Sequence, residues 1–140
     1  MDVNKRASIT EEAARARGAK FRRSARDWII SAAAVLLAAD GPSEIYDHLF
    51  ARRFACADGF AALGAGCRTT GRTLYLDGGA ALHGAEVTAP DLRGGAALLL
   101  AALGADGVTR LRDPGHIPRG YADLPGELHT LGADCVTEKT

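Results

Sequence analysis

Two stretches of this chain repeat one another, and that repeat limits its fold more than any other feature. The first reads DWIISAAAVLLAADGPSEIYDHLFARRFACADGFAALGAGC, residues 27–67. The second reads DLRGGAALLLAALGADGVTRLRDPGHIPRGYADLPGELHTLGADC, residues 91–135. Asp27 pairs with Asp91 at a spacing of 64, and Asp40-Gly41 with Asp106-Gly107 at 66. Arg53 pairs with Arg119, again at 66, and LGAGC (63–67) with LGADC (131–135) at 68. Small loop insertions account for the drift, and the matches fall in the same order in both stretches, as repeated structural units require.

Each unit decodes alike. An acidic residue opens a long apolar helix, where a carboxylate suits both the N-cap and the helix dipole. Asp-Gly closes it, because glycine tolerates the left-handed conformation after a helix. A short strand follows (SEIYDHL, 43–49; VTRLRD, 108–113), then an arginine in a strand-to-helix loop, a second helix ending in LGA, and a strand beginning near the cysteine. RTLYLDG (72–78) alternates like a strand and AEVTAP (85–90) offers another. The pattern helix–strand–helix–strand–strand, repeated, predicts an α/β fold. Residues 28–39 and 94–103 carry no charge on any face. A helix apolar all round is buried all round, so the helices are expected inside and the sheets outside.

The expected organisation is a charged N-terminal helix or arm over 1–26 and one domain over 27–140, with units at about 27–90 and 91–137. Within the arm, Ser8 with Glu11 three residues on has the capping-box arrangement, and a surface helix would end at Gly18. The chain has 17 basic and 17 acidic residues. That balance argues against a dedicated nucleic-acid or anionic-membrane surface. No apolar signal segment opens the sequence, and its longest apolar run is too short to span a bilayer, so a cytoplasmic protein is expected. Cys56, Cys67 and Cys135 have no CxxC spacing, and the four histidines have no helical metal spacing. They read as reduced thiols and ordinary loop or surface histidines, with no metal or cofactor site expected.

Asp27, Arg53, Asp91, Arg93 and Arg119 all fall at helix starts or strand-to-helix loops, where side chains and helix N-termini can face a shared ligand. Arginine suits phosphate or carboxylate because its planar fork binds bidentately. Three arginines with two acids could clamp a phosphorylated, doubly charged substrate. From spacing alone, aspartates that only cap and arginines that only meet solvent are the favoured reading.

The motifs APDLRGGAALLLAALGADG, HIPRGY and LGAD, in this order, resemble the closing segment of the UDP-N-acetylglucosamine enolpyruvyl transferases (1-carboxyvinyltransferases) of bacterial cell-wall synthesis. Upstream, IYDHLFARRF is similar to that family's strand ending in F-E-N-R-F, and LHGAEVTAPDLR to its L-x-G-A-x-V-x-A-x-D-L-R. The resemblance covers roughly residues 27–137. It implies part of an inside-out α/β barrel, two of the family's βαβαββ-like units, with the substrates UDP-N-acetylglucosamine and phosphoenolpyruvate and no cofactor. It places Asp27 on the aspartate that takes the proton from the attacking sugar hydroxyl. Arg119 falls on the arginine reaching phosphoenolpyruvate, Asp91 and Arg93 on the D-L-R pair near the reacting centre, and Arg53 on the arginine of the strand end. Leu49 and Phe50 fall where the uridine packs. The family's first domain, with its loop cysteine, has no counterpart here, and none of the three cysteines inherits that role. Ser24-Ala25-Arg26 stands where the family has F-P-T, and Arg52 and Pro118 replace its Asn and Asp. The expected state is therefore a truncated relative, inactive alone, whose apolar helices need a partner chain or a second copy to cover them. A non-catalytic scaffold module is the alternative. The shikimate-pathway branch fits DLRGG and HIPRGY less well.

Overall fold

The computed structural model describes residues 2–4, 32–46, 54–79 and 81–138. In chain order these form β1 (Asp2–Asn4), the helical residues 32–36 of α1, β2 (Ser43–Tyr46), α2 (Ala57–Ala62), β3 (Cys67–Thr70), β4 (Thr73–Leu76) and β5 (Glu86–Thr88). There follow α3 (Leu92–Leu103), β6 (Val108–Arg112), a 3-10 turn (Ile117–Arg119), α4 (Leu124–Thr130) and β7 (Asp134–Val136). Every strand and helix expected within the described residues is present, most of them shorter than the motif that announced them. α1 ends early because Ala38 and Ala39 donate to carbonyls three residues back, which tightens the last turn. Of the two Asp-Gly turns, Gly107 takes φ +91°, whereas Gly41 is not left-handed. The expected surface helix over residues 8–18 lies outside the described residues.

α3 is the centre of the molecule. Nine of its 12 residues, Gly94 to Leu99 and Ala101 to Leu103, are buried. β6 packs on it with Thr109 and Leu111 inward and Val108, Arg110 and Arg112 outward, the period-2 alternation of a sheet with one wet face. Glu86 meets Arg110 at 3.6 Å and Arg112 at 3.7 Å on that outer face. These pairs are exposed and contribute little. α2 lies against α3 from the first unit, and Gly59 makes the approach possible: a Cβ there would collide with the Leu98 side chain. One hydrophobic cluster runs through both units, from Ala33 and Leu37 through Phe60 and Leu76 to Leu99 and Leu111. Helices are inside and sheets outside, as the all-round apolar helices predict.

The two sheets share one pattern. One has the order β2-β4-β3, the other β5-β6-β1-β7. In each, a central strand runs antiparallel to both neighbours: β4 between β2 and β3, and β1 between β6 and β7. Ser43, Leu76 and Cys67 stand opposite one another in the first sheet. Thr109, Val3 and Cys135 do so in the second. Ser43 and Thr109 are 66 residues apart and Cys67 and Cys135 are 68 apart, the spacings of the repeat. Residues 2–4 therefore fill, from the other end of the chain, the slot that β4 fills within the first unit. Of residues 1–26, expected as a charged helix or arm, only 2–4 are described, and these pair as a central strand. β5 then joins the units by pairing in parallel with β6.

A central strand cannot spare a ladder donor. Val3→Pro is expected to lower the melting temperature by at least about 4 °C, the shift that about 1 kcal/mol produces in a domain of this size. A melt indistinguishable from wild type would show that β1 contributes no stability.

Candidate functional site

The first turn of α3 is built by Asp91. Its backbone is extended (φ −161°), and its Oδ1 accepts the Gly94 N–H at 2.6 Å while its carbonyl accepts that of Gly95 at 2.9 Å. Asp91 is thus the N-cap that its sequence position predicts, half-buried, with one carboxylate oxygen committed to the helix. Two residues on, Arg93 is exposed. A cation in the first turn opposes the helix dipole, and this turn holds no acidic residue. Propensity alone would not choose that placement. It concentrates positive charge where free backbone N–H groups already favour an anion.

Two close approaches bring Arg119 to the same place. Ile117, 2 % exposed, seats against α3 where Gly95 leaves room: a Cβ there would lie 3.1 Å from Ile117 Cγ1 and 2.8 Å from Ala89 Cβ. Gly120 faces Leu92, whose Cδ2 would be 2.7 Å from an added Cβ. The 3-10 turn bearing Arg119 is thereby clamped from both sides onto the first turn of α3, and Arg119 is itself exposed. Asp91, Arg93 and Arg119, 28 residues apart at their extremes, thus share one end of the buried helix. The remaining expected site residues, Asp27, Leu49, Phe50 and Arg53, lie outside the described residues.

The first unit reaches the same point. Phe54 and Cys56, which follow Arg53, are buried at the start of α2. Burial pushes the Cys56 thiol up to about 12, with the nearby Asp91 carboxylate adding to the effect. Cys67 and Cys135 are raised as well, first by burial. The Cys67 thiol donates to the Ala57 carbonyl at 3.3 Å. A thiol held protonated is a poor nucleophile.

A groove of about 1030 Å³ lies against the 3-10 turn, lined by Leu111, Ile117, Pro118, Tyr121 and Pro125 among others, but by none of Asp91, Arg93 and Arg119. The charged side chains carried by the α3 first turn and the 3-10 turn lie outside this groove. What the motif reading missed is Asp113, placed by it at a strand end. β6 stops at Arg112, and the Asp113 carboxylate accepts three backbone N–H groups of the following turn. The signal was present in Asp-Pro-Gly, a turn sequence with a mechanism.

Helices packed inside two outward sheets, with a charged helix start as the meeting point of both units, define the class of fold. The EPSP synthase (3-phosphoshikimate 1-carboxyvinyltransferase) family matches residues 25–128, and the chain belongs to that enolpyruvyl transferase family. It is 48% identical over 101 residues to UDP-N-acetylglucosamine 1-carboxyvinyltransferase 1 of Halalkalibacterium halodurans, covering 72% of this chain and 23% of the relative. With UDP-N-acetylglucosamine 1-carboxyvinyltransferase 2 of Staphylococcus saprophyticus the identity is 43% over 101 residues, covering 72% and 24%. Among solved structures, the enolpyruvyl transferase NikO from Streptomyces tendae is similar with a TM-score of 0.72 and 39% identity, over 78% of this chain and 26% of that one. An EPSP synthase from Acinetobacter baumannii, at 16% identity and a TM-score of 0.66, shares the fold. The chain spans about a quarter of the length of these relatives. No helix among the described residues is long and apolar enough to cross a membrane.

Iodoacetamide at pH 8 is expected to leave Cys56 unlabelled in the folded protein and to label it fully in denaturant, read by peptide mass. Labelling of Cys56 at the rate of a free thiol would show that the start of α2 is not packed as described.

Proposed function

We propose that this chain forms one wall of an enolpyruvyl transferase cleft that takes UDP-N-acetylglucosamine and phosphoenolpyruvate, in the making of peptidoglycan precursors in the cytoplasm. The observation that carries this is the clamping of the Arg119 turn onto the α3 first turn, which brings the D-L-R and H-I-P-R-G-Y motifs together. The 43–48% identity to relatives named for that nucleotide sugar supports it.

In this reading Asp27 takes the proton of the sugar 3-hydroxyl as its oxygen bonds to phosphoenolpyruvate and inorganic phosphate departs. Arg119 and Arg93 hold the anionic groups, Asp91 fixes the turn that presents Arg93, Arg53 adds charge from the first unit, and Leu49 and Phe50 pack the uridine. Transfer requires both anionic substrates oriented and their developing charge stabilised from both walls of a dry cleft. These 140 residues supply one wall. Alone they bind without turning over; turnover needs the opposite wall, from a further segment or a partner chain that also covers apolar surface of this domain. The domain is residues 27–140, in units of about 27–90 and 91–137, with residues 2–4 completing the second sheet.

Trp28, the only tryptophan, directly follows Asp27. Titration with UDP-N-acetylglucosamine is expected to give a saturable change in Trp28 fluorescence, with affinity at least about tenfold weaker in Arg93→Ala, the scale of losing one charged hydrogen-bond partner. No change, confirmed by calorimetry, would sink the substrate reading and leave a scaffold that retains only the fold. Growth of a strain lacking the cell-wall transferase on this chain alone would overturn the claim that it is one wall.

A further inference from the structure

Arg119 sits at the end of the 3-10 turn, and what holds that turn at its other end is a side chain assigned no role so far. Asp113 leaves β6 and is followed by Pro114 and Gly115, the latter at φ +103°. Proline followed by a left-handed glycine is the pairing a type II turn favours, and it doubles the chain back beneath the carboxylate. Asp113 Oδ1 accepts the N–H of Gly115 at 3.1 Å and that of His116 at 2.7 Å. Its Oδ2 accepts the N–H of Ile117 at 3.0 Å. These are three successive donors that no helix could satisfy, taken by one ionised group, and bonds to an ionised acceptor are the strong kind.

The connection continues to the arginine. The His116 carbonyl, whose own N–H is held by Asp113, accepts the Arg119 N–H at 3.2 Å. The Ile117 carbonyl accepts the N–H groups of Gly120 at 3.2 Å and Tyr121 at 3.0 Å. On the other side, the Ile117 side chain is anchored against α3 at Gly95. The turn is therefore held by apolar contacts with α3 at Ile117 and Gly120 and by a carboxylate clasp at its start. The apolar contacts fix its middle and end, whereas the entry through Gly115, a residue with conformational freedom of its own, is held by the clasp.

We propose that Asp113 is a positioning residue for substrate binding: it sets the backbone of residues 115–119 and so presents Arg119 to the anion bound at the α3 first turn. This deepens the reading of that turn as a substrate wall and rests on it. A displacement of the order of 1 Å at a group that orients substrate can cost on the order of a hundredfold in rate, so the setting of this backbone bears directly on the site.

The test uses the whole chain with Asp113→Ala, Asp113→Asn and Arg119→Ala, singly and combined, with UDP-N-acetylglucosamine together with phosphoenolpyruvate as the probe in calorimetry. Asp113→Ala is expected to weaken binding at least about tenfold and to raise amide exchange of residues 115–121, leaving the amides of α3 protected. Asp113→Asn keeps one acceptor oxygen, enough for Gly115 and His116, and is expected to recover most of the affinity. In the Arg119→Ala background, Asp113→Ala should cost nothing further, because contacting residues that act as one unit are non-additive. Additive losses would overturn the proposal in favour of a general structural role, as would unchanged affinity in Asp113→Ala. If the wild-type chain binds neither ligand, the substrate reading fails on its own. Exchange of residues 115–121 then decides the clasp: unchanged in Asp113→Ala, it is overturned; accelerated there and restored in Asp113→Asn, it stands.

Discussion

The burial of α3 governs everything else in this molecule. A 12-residue helix with no polar side chain after its second position has no face to offer water, so every neighbour must come to it. β6 and β1 cover one side, α2 another, and the 3-10 turn closes on its start. The small residues set how near they come. Gly59 admits α2 against Leu98, and Gly95 admits Ile117, so that a side chain at either position would push the partner away. The charges of this helix are confined to its first turn because that is the only part reaching the surface. Burial of the rest thus determines where binding chemistry can sit.

Helix burial also explains why the repeat could be read so far into the structure. Each unit obeys one physical rule: an apolar helix needs strands on one side, and strands with a wet face must alternate. Ser43 and Ile45 alternate with Glu44 and Tyr46 as Thr109 and Leu111 alternate with Arg110 and Arg112. Those periodicities are local and survive in sequence. The rows Ser43–Leu76–Cys67 and Thr109–Val3–Cys135 carry the same spacing into three dimensions.

β1 escaped that reading for a reason equally physical. Asp2-Val3-Asn4 is too short to show alternation and is flanked by charge, and its two neighbours lie more than 100 residues away. Nothing local says that it is a strand. It becomes one because β6 and β7, parallel and one strand apart, leave a row of donors and acceptors between them that must be met. The candidate site divides along the same line. Asp91 was legible as a cap because capping is a local act. That the Arg119 turn seats on the α3 first turn was only suggested by position and resemblance, since it depends on Gly95 and Gly120 opposing Ile117 and Leu92, a fit between distant residues that no spacing encodes.

Family membership and local chemistry then bear on different questions. The match over residues 25–128 accounts for the helix-inside architecture, yet the aligned part is only about a quarter of each relative, so the architecture does not by itself carry their activity. What speaks to binding is a local conflict. Asp91 caps this helix start and meets one of its N–H groups, yet the first turn itself carries Arg93 and no acid. The arrangement works against the helix dipole in the unliganded state and with it once an anion arrives, since arginine, helix N-terminus and anion then attract in every pairing but one. Places where a sequence departs from its best local choice are where function is to be sought. The α3 first turn is such a place, and its apolar continuation is not.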